Sequence, residues 1–316
     1  MTFVKRKAIK QKLRKKLKLD GHTIEITSQE KLYFPESGLT KGAIVDYYRR
    51  IAPVMLPYLH DRPITMHRFP NGIAEEGFYQ QHISDYFPDW IERATVTKEN
   101  GEPITHVLIN NAATLVYLAN QGMITPHIWL SRIDKPTRPD RMIFDLDPSG
   151  ESAGWVREAA VTVHDLLESL GLSSFVMTSG SKGFHVVVPL DRRQDFDSVR
   201  EFAQNVAVVL VQREPDRFTV EHRKDKRGDR ILVDTLRNTY AHTAVAPYAL
   251  RARPSAPIAT PIRWNEMYRP EIHPQRYTPQ NIFRRLGVAY HDPWHDIEEY
   301  RQSLSAARNR LKALTT

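Results

Sequence analysis

The chain has 316 residues, 41% of them hydrophobic, enough to bury one large core or two small ones. It has no cysteine, which excludes disulfides, thiolate zinc sites and cysteine nucleophiles. The formal charge of +8 is an N-terminal matter: Lys5 to Lys18 holds nine Lys/Arg and no acid, leaving the rest at −1, so any anion site in the body must be a local cluster.

Residues 1–20 are expected to form a basic extension, with Ile9, Leu13 and Leu17 at helical spacing, either a solvated tail or an arm following a phosphate backbone. The main domain is expected over 21–316. Asp20-Gly21 turns into a short alternating strand, HTIEIT. The stretch TKGAIVDYYRRIAPVMLPYL predicts a helix capped by Thr40 and ended near Pro57. Further on, RMIFDLD predicts a strand stopped by Pro148, and WVREAAVTVHDLLESLG a helix running into glycine. SFVMTSG and HVVVPL predict strands about a glycine-containing turn, VREFAQNVAVVLVQ a helix, ILVD a strand ending in an acid, and Trp294 to Leu314 a terminal helix. Irregular alternation of this kind predicts an α/β domain around a central sheet. No stretch approaches the ~20 apolar residues of a membrane helix, and the start lacks the apolar centre of a signal peptide, so a soluble intracellular protein is expected.

Alternate residues of a strand share a face, so Asp145 and Asp147 point the same way. Paired carboxylates are costly to bury unless cations neutralise them, and this pair suits two Mg²⁺ or Mn²⁺ ions. Asp234, at the end of ILVD, is the candidate third acid. A lone DxD is a weak motif: it also marks ordinary turns and the metal sites of sugar-nucleotide transferases. TSGSKGFHVVVPL adds a phosphate-binding possibility, with Ser179 and Ser181 hydroxyls, the Lys182 charge, loop amides exposed as an anion nest, and His185 following. Arg251 and Arg253, at period two in LRAR, would share a strand face and clamp phosphate oxygens. Phe78 and Tyr79 near Arg68 suit base stacking beside a backbone contact.

The ordered set KLYFPESGLTKGAIVDYYRR, GFYQQH, TPHIWLSR, FDLDP, SGSKGFHVVVPL, ILVD and VAPYALRAR closely resembles the polymerase domain of the bacterial and archaeal DNA ligase D family, from about Asp20 to the last helix. This resemblance implies an archaeo-eukaryotic primase-type core: an RRM-like antiparallel sheet packed against a second α/β lobe. It implies a ribonucleotide-preferring polymerase that fills gaps and extends ends in non-homologous end joining, using two Mn²⁺ or Mg²⁺ ions and a nucleoside triphosphate. The rivals are a non-catalytic end-bridging module and a DxD sugar-nucleotide transferase.

By the same resemblance, Asp145, Asp147 and Asp234 are the metal-binding acids, while His127, Ser179, Lys182, His185, Arg251 and Arg253 bind the nucleotide. Lys31 and Lys41 grip a 5′-phosphate, Phe78 stacks on template, and the 216–229 loop bridges ends, with Arg227 approaching the nucleotide; Arg68 is assigned to DNA binding from its place near Phe78 alone. Implied partners are DNA ends and gaps, Ku and an ATP-dependent ligase, in the cytoplasm at the nucleoid. Gln81 stands where relatives often carry lysine, which removes one backbone contact. Lys18 to Gly21 spells the KxDG of a ligase nucleophile and is read as a turn instead.

Overall fold

The structure is a computed structural model describing residues 15–98, 100–289 and 292–315. Its first element is a hairpin of β1 (Lys15–Leu19) and β2 (His22–Ile26), in register from Lys15 opposite Ile26 to Leu19 opposite His22. Asp20 (φ 48°) and Gly21 (φ 79°) supply the two left-handed residues of a tight hairpin turn. Lys15–Leu19, placed in the basic extension by the sequence, pairs here as a strand. Leu17 lies on a strand packed against the core, because the Asp-Gly turn gives this basic segment a pairing partner. Residues 1–14, with Ile9 and Leu13, lie outside the described residues. KxDG is this turn, and Asp20 Oδ2 accepts from the Ala113 amide at 2.9 Å.

A small hairpin of β3 (Leu32–Phe34) and β4 (Leu39–Thr40) leads into α1 (Lys41–Leu59), where Thr40 Oγ1 accepts from the Ala43 amide as its cap. The helix continues past Pro57, its final turn closed by His60 N to Leu56 O at 3.0 Å. There follow β5 (Ile64–Arg68), β6 (Phe78–Gln80), β7 (Arg93–Thr97), β8 (Pro103–Val107), α2 (Ala112–Asn120) and β9 (Met123–Trp129). With the later β15 (Thr243–Val245) they make a sheet ordered β15-β9-β5-β8-β7, with β6 paired to β5.

The second large sheet starts at β10 (Arg141–Asp147), then α3 (Val156–Ser169), β11 (Phe175–Thr178), β12 (Phe184–Pro189), α4 (Phe196–Arg213), β13 (Phe218–Thr219), the single turn α5 (Lys224–Arg227), β14 (Ile231–Asp234) and β16 (Pro261–Ile262). Its order is β13-β14-β10-β12-β11-β16, antiparallel except β13 with β14. Taken alone, β10-α3-β11-β12-α4-β14 is the split β-α-β-β-α-β unit, which is the RRM-like sheet expected from the sequence. Helix α3 covers β10 and β12, and α4 packs on β10, so Phe144 and Leu146 are fully buried while the opposite face is left for chemistry.

The C-terminal region holds α6 (Ile282–Ala289) and α7 (Ser305–Thr315). The single helix expected from Trp294 is broken. Gln302 bridges Leu190, and its side chain bonds both backbone groups of Ser173, which keeps the chain extended until Ser305.

Behind the sheets Asp140, 3% exposed, receives Arg62 in a bidentate pair at 2.8 and 2.6 Å and Arg132 Nε at 3.0 Å. Arg132 also reaches Glu298 at 3.0 Å, tying in the C-terminal segment. Burial opposes the Asp140 charge, but Arg62, Arg141 and Arg132 outweigh it and hold its carboxyl far below the usual range.

Candidate active site

Across the RRM-like sheet, Asp145 on β10 faces Asp234 on β14 in one direction and His185 on β12 in the other. Three strands thus place His185, Asp145 and Asp234 in one transverse row, with Asp147 two residues along on the same face. The acids predicted to act together do come together. They line a cleft of about 300 Å³ with Ser179, Lys182, His185, His127 and Arg251.

Each carboxylate is already engaged. Asp145 meets His185 Nε2 at 3.4 Å and Arg237 Nε at 3.5 Å. Asp147 receives Arg227 Nη1 at 3.0 Å, and Asp234 Oδ1 accepts from the Leu236 amide at 2.8 Å. Burial works against the Asp145 charge, yet His185, Arg237 and Arg251 hold its carboxyl well below the usual value. Among the described residues no group of three His, Asp or Glu is arranged to hold a metal ion, and Asp145 and Asp147 each face a guanidinium. The donor set nevertheless fits a hard divalent ion: oxygen donors on one face, beside His185 Nδ1 and His127 Nε2, both buried without a partner.

The loop between β11 and β12 rests directly on β10: a Cβ at Gly183 would lie 1.6 Å from the Leu146 carbonyl oxygen, and Gly180 has φ +63°. Ser179 Oγ accepts from the Ser181 and Gly183 amides at 3.1 and 3.2 Å. This corrects the expected anion nest: those amides are spent inside the loop, and Ser179 shapes it. Lys182 remains exposed at the cleft.

Arg251 and Arg253 do not share a strand. The chain turns back on itself there, Arg253 N donating to Arg251 O at 2.8 Å, so Arg251 lines the cleft while Arg253 Nη2 donates to Ser181 Oγ at 2.5 Å. His127, on β9 of the other sheet, is pushed well below its usual pKa by burial and then by Arg251 and Arg237, and is neutral at pH 7.

Of the residues expected to meet DNA, Phe78 is 47% exposed. Lys31 Nζ donates to Asn71 Oδ1 at 2.6 Å and Pro70 O at 2.9 Å. Lys41, 6% exposed, donates to Thr27 Oγ1, and burial followed by the Lys31 charge brings its pKa down to about 8. Arg68, 7% exposed, already donates to Gln80 and the Gln121 carbonyl and packs over Phe78 at 5.5 Å. Arg227 is likewise buried and faces Asp147, held by the Glu221 and His222 carbonyls, in a 216–229 segment that folds as β13 and α5.

Sequence reasoning missed Arg237, Tyr79 as a cleft wall, and Thr243. Arg237 had a signal, a base three positions beyond a strand-end acid. Tyr79 was noted for DNA stacking, whereas its ring stacks on His67 at 4.1 Å and meets His127 edge-on. Thr243 had no local signal, being delivered by the distant pairing of β15 with β9.

Known proteins resemble this chain. The family model described as the LigD primase-polymerase domain matches residues 40–294. The multifunctional non-homologous end joining protein LigD of Mycolicibacterium smegmatis is 34% identical over 257 residues, 80% of this chain and 34% of that protein. The namesake protein of Pseudomonas aeruginosa is 34% identical over 292 residues, 91% of this chain and 34% of that protein. The chain thus spans about a third of the length of these relatives. The polymerase domain of Mycobacterium tuberculosis ligase D, solved in complex with DNA, aligns with a TM-score of 0.82 at 32% identity, covering 88% of this chain and 99% of that one.

Fold and site together define a primase-polymerase of the archaeo-eukaryotic primase type, a nucleotidyltransferase class. The chain belongs to the LigD primase-polymerase domain family.

Proposed function

We propose that this chain is a template-directed polymerase that adds nucleotides, ribonucleotides by preference, to the 3′ end of DNA in gaps and at broken ends during non-homologous end joining. The observation that carries it is the row His185, Asp145, Asp234, with Asp147 beside it, facing Lys182 and Arg251 across one cleft. Asp145, Asp147 and Asp234 would hold two Mn²⁺ or Mg²⁺ ions, which when bound activate a primer 3′-hydroxyl and carry triphosphate charge. Lys182 and Arg251 take up charge that develops on the phosphates. Neutral His127 keeps Nε2 open for a polar atom of the substrate, such as a ribose hydroxyl. Ku and an ATP-dependent ligase would supply end recognition and sealing, and the protein would work at the nucleoid.

The test is extension of a short-gap duplex by labelled ATP and by dATP with Mn²⁺. ATP is expected to be favoured; a native, gap-binding protein that extends with neither would leave the non-catalytic bridging reading. No described helix is long and apolar enough to cross a membrane.

Because Arg227 occupies Asp147, metal entry has to displace a guanidinium. Arg227→Ala is expected to tighten Mn²⁺ binding in the absence of DNA by about twofold to fivefold, the value of a partly exposed ion pair. A calorimetric titration showing unchanged affinity would sink this.

Lys31 and Lys41 would hold the 5′-phosphate of the downstream strand. With Lys41 near 8 when free, a bound phosphate favours its protonated form, so the affinity gained from the 5′-phosphate is full below pH 8 and declines as pH rises past it. Anisotropy with phosphorylated and unphosphorylated gaps from pH 6.5 to 9.5 reads this; a flat difference would remove Lys41 from the contact.

A further inference from the structure

A cavity of about 520 Å³, larger than the catalytic cleft, is lined entirely by residues between 263 and 285. Five of these are arginines, against the acids Glu266 and Glu271. One arginine is already spent: Arg285 pairs bidentately with Glu266 at 2.6 and 2.8 Å, lies over the Tyr277 ring at 4.6 Å, and donates to its hydroxyl. In that unit the two opposite charges neutralise each other. Arg263, Arg269, Arg276 and Arg284 have no carboxylate within ion-pair distance among the described residues, so four guanidiniums share a concave surface with one acid, Glu271.

A charged run on a convex surface is ordinarily just solvated. Here the walls curve around a volume sufficient for several phosphates, and guanidinium forks match phosphate oxygens in pairs. Tyr268, outside the cavity lining but the chain neighbour of Arg269, is 73% exposed and offers a stacking face. A second cavity, about 370 Å³, is lined by Ser181 and Lys182 of the catalytic loop and by His273, Pro274 and Gln275, which lie between Ile272 and Arg276 of the arginine cavity. Gln275 Nε2 donates to Ser181 O at 3.0 Å, fixing that connection.

We propose that the arginine cavity is a second nucleic-acid site. It takes the sugar-phosphate backbone of one unpaired strand, with a base on Tyr268, and the His273–Gln275 cavity leads the strand toward the catalytic cleft. The site extends the polymerase reading, but strand binding does not require catalysis. Free pyrophosphate shares the phosphate chemistry, and the experiment separates the two.

The test is anisotropy of a labelled single-stranded oligonucleotide with the whole chain, native and Arg269→Ala/Arg284→Ala, across a salt series. Both side chains are exposed and unpaired, and melting curves check that the variant folds. The expected result is about tenfold weaker strand binding, a salt slope smaller by about 1.4 for two lost contacts, and native filling of a gap without unpaired tails. Tyr268→Ala should weaken strand binding by about fivefold or more without changing the slope. Unchanged strand affinity and slope in the folded double variant would overturn the proposal, as would lost pyrophosphate binding with strand binding intact. A native protein that incorporates no nucleotide while the double variant still loses strand affinity would refute the polymerase reading and leave this site standing. Full activity with unaltered strand binding would remove this site alone.

Discussion

Asp145→Asn is expected to lower nucleotide incorporation by about 10³-fold or more while changing affinity for a gapped duplex by less than about threefold. The substitution keeps the shape of the side chain and removes only its charge, at the one position flanked in register by Asp234 and His185. The loss should therefore lie in kcat and in metal affinity, not in DNA binding. Arg237 and His185 would then face an uncharged neighbour. Single-turnover incorporation on a phosphorylated gap, alongside binding to the same gap, measures both quantities; a variant within about tenfold of native would exclude Asp145 as a metal ligand.

Asp140→Ala is expected to have the largest effect on stability, about 3–5 kcal/mol, because it strands the buried Arg62 guanidinium and removes one of the two carboxylates that Arg132 meets. For a chain of this size that corresponds to roughly 5–8 °C in Tm. The sign with pH follows from the depressed carboxyl: its stabilisation is present above the unfolded value near ~3.9 and is lost as pH falls through the folded one. Acid unfolding of the native chain should therefore include an Asp140 contribution below about pH 4 that the variant lacks. Chemical denaturation of the variant at neutral pH with less than about 1 kcal/mol lost would show that water or a neighbour compensates for the missing carboxylate.

The parts of the fold that were legible in the sequence rest on local rules. Strand alternation and Pro148 placed Asp145 and Asp147 on one face; Thr40 announced its helix; Asp20-Gly21 announced a turn. Asp234 was found because an apolar run delivering an acid repeats the form of RMIFDLD. What escaped depends on pairings distant in the chain. Thr243 reaches the cleft only through β15 against β9, a relation no neighbouring residue encodes. The hydroxyl of Ser179 was expected to face a ligand, yet its own loop offered two amides closer at hand. Arg68 was expected beside the DNA and Arg227 near the nucleotide, and only the tertiary structure shows the carbonyl and carboxylate partners that hold them. The strand at Lys15–Leu19 was hidden by its lysines, which suit an exposed edge as well as a tail.

The pairing of Asp145 with Asp234 also has a consequence in time. These residues are 89 positions apart in the chain, whereas Asp145 and His185 are 40 apart and β11 and β12 are joined by a short turn. Closing the longer segment carries the greater entropy cost, and α3, β11, β12 and α4 lie within it. During refolding the hairpin and its helices can form before the acid row is complete. Recovery of incorporation should then lag behind recovery of helical signal, making catalysis a late reporter of the native state.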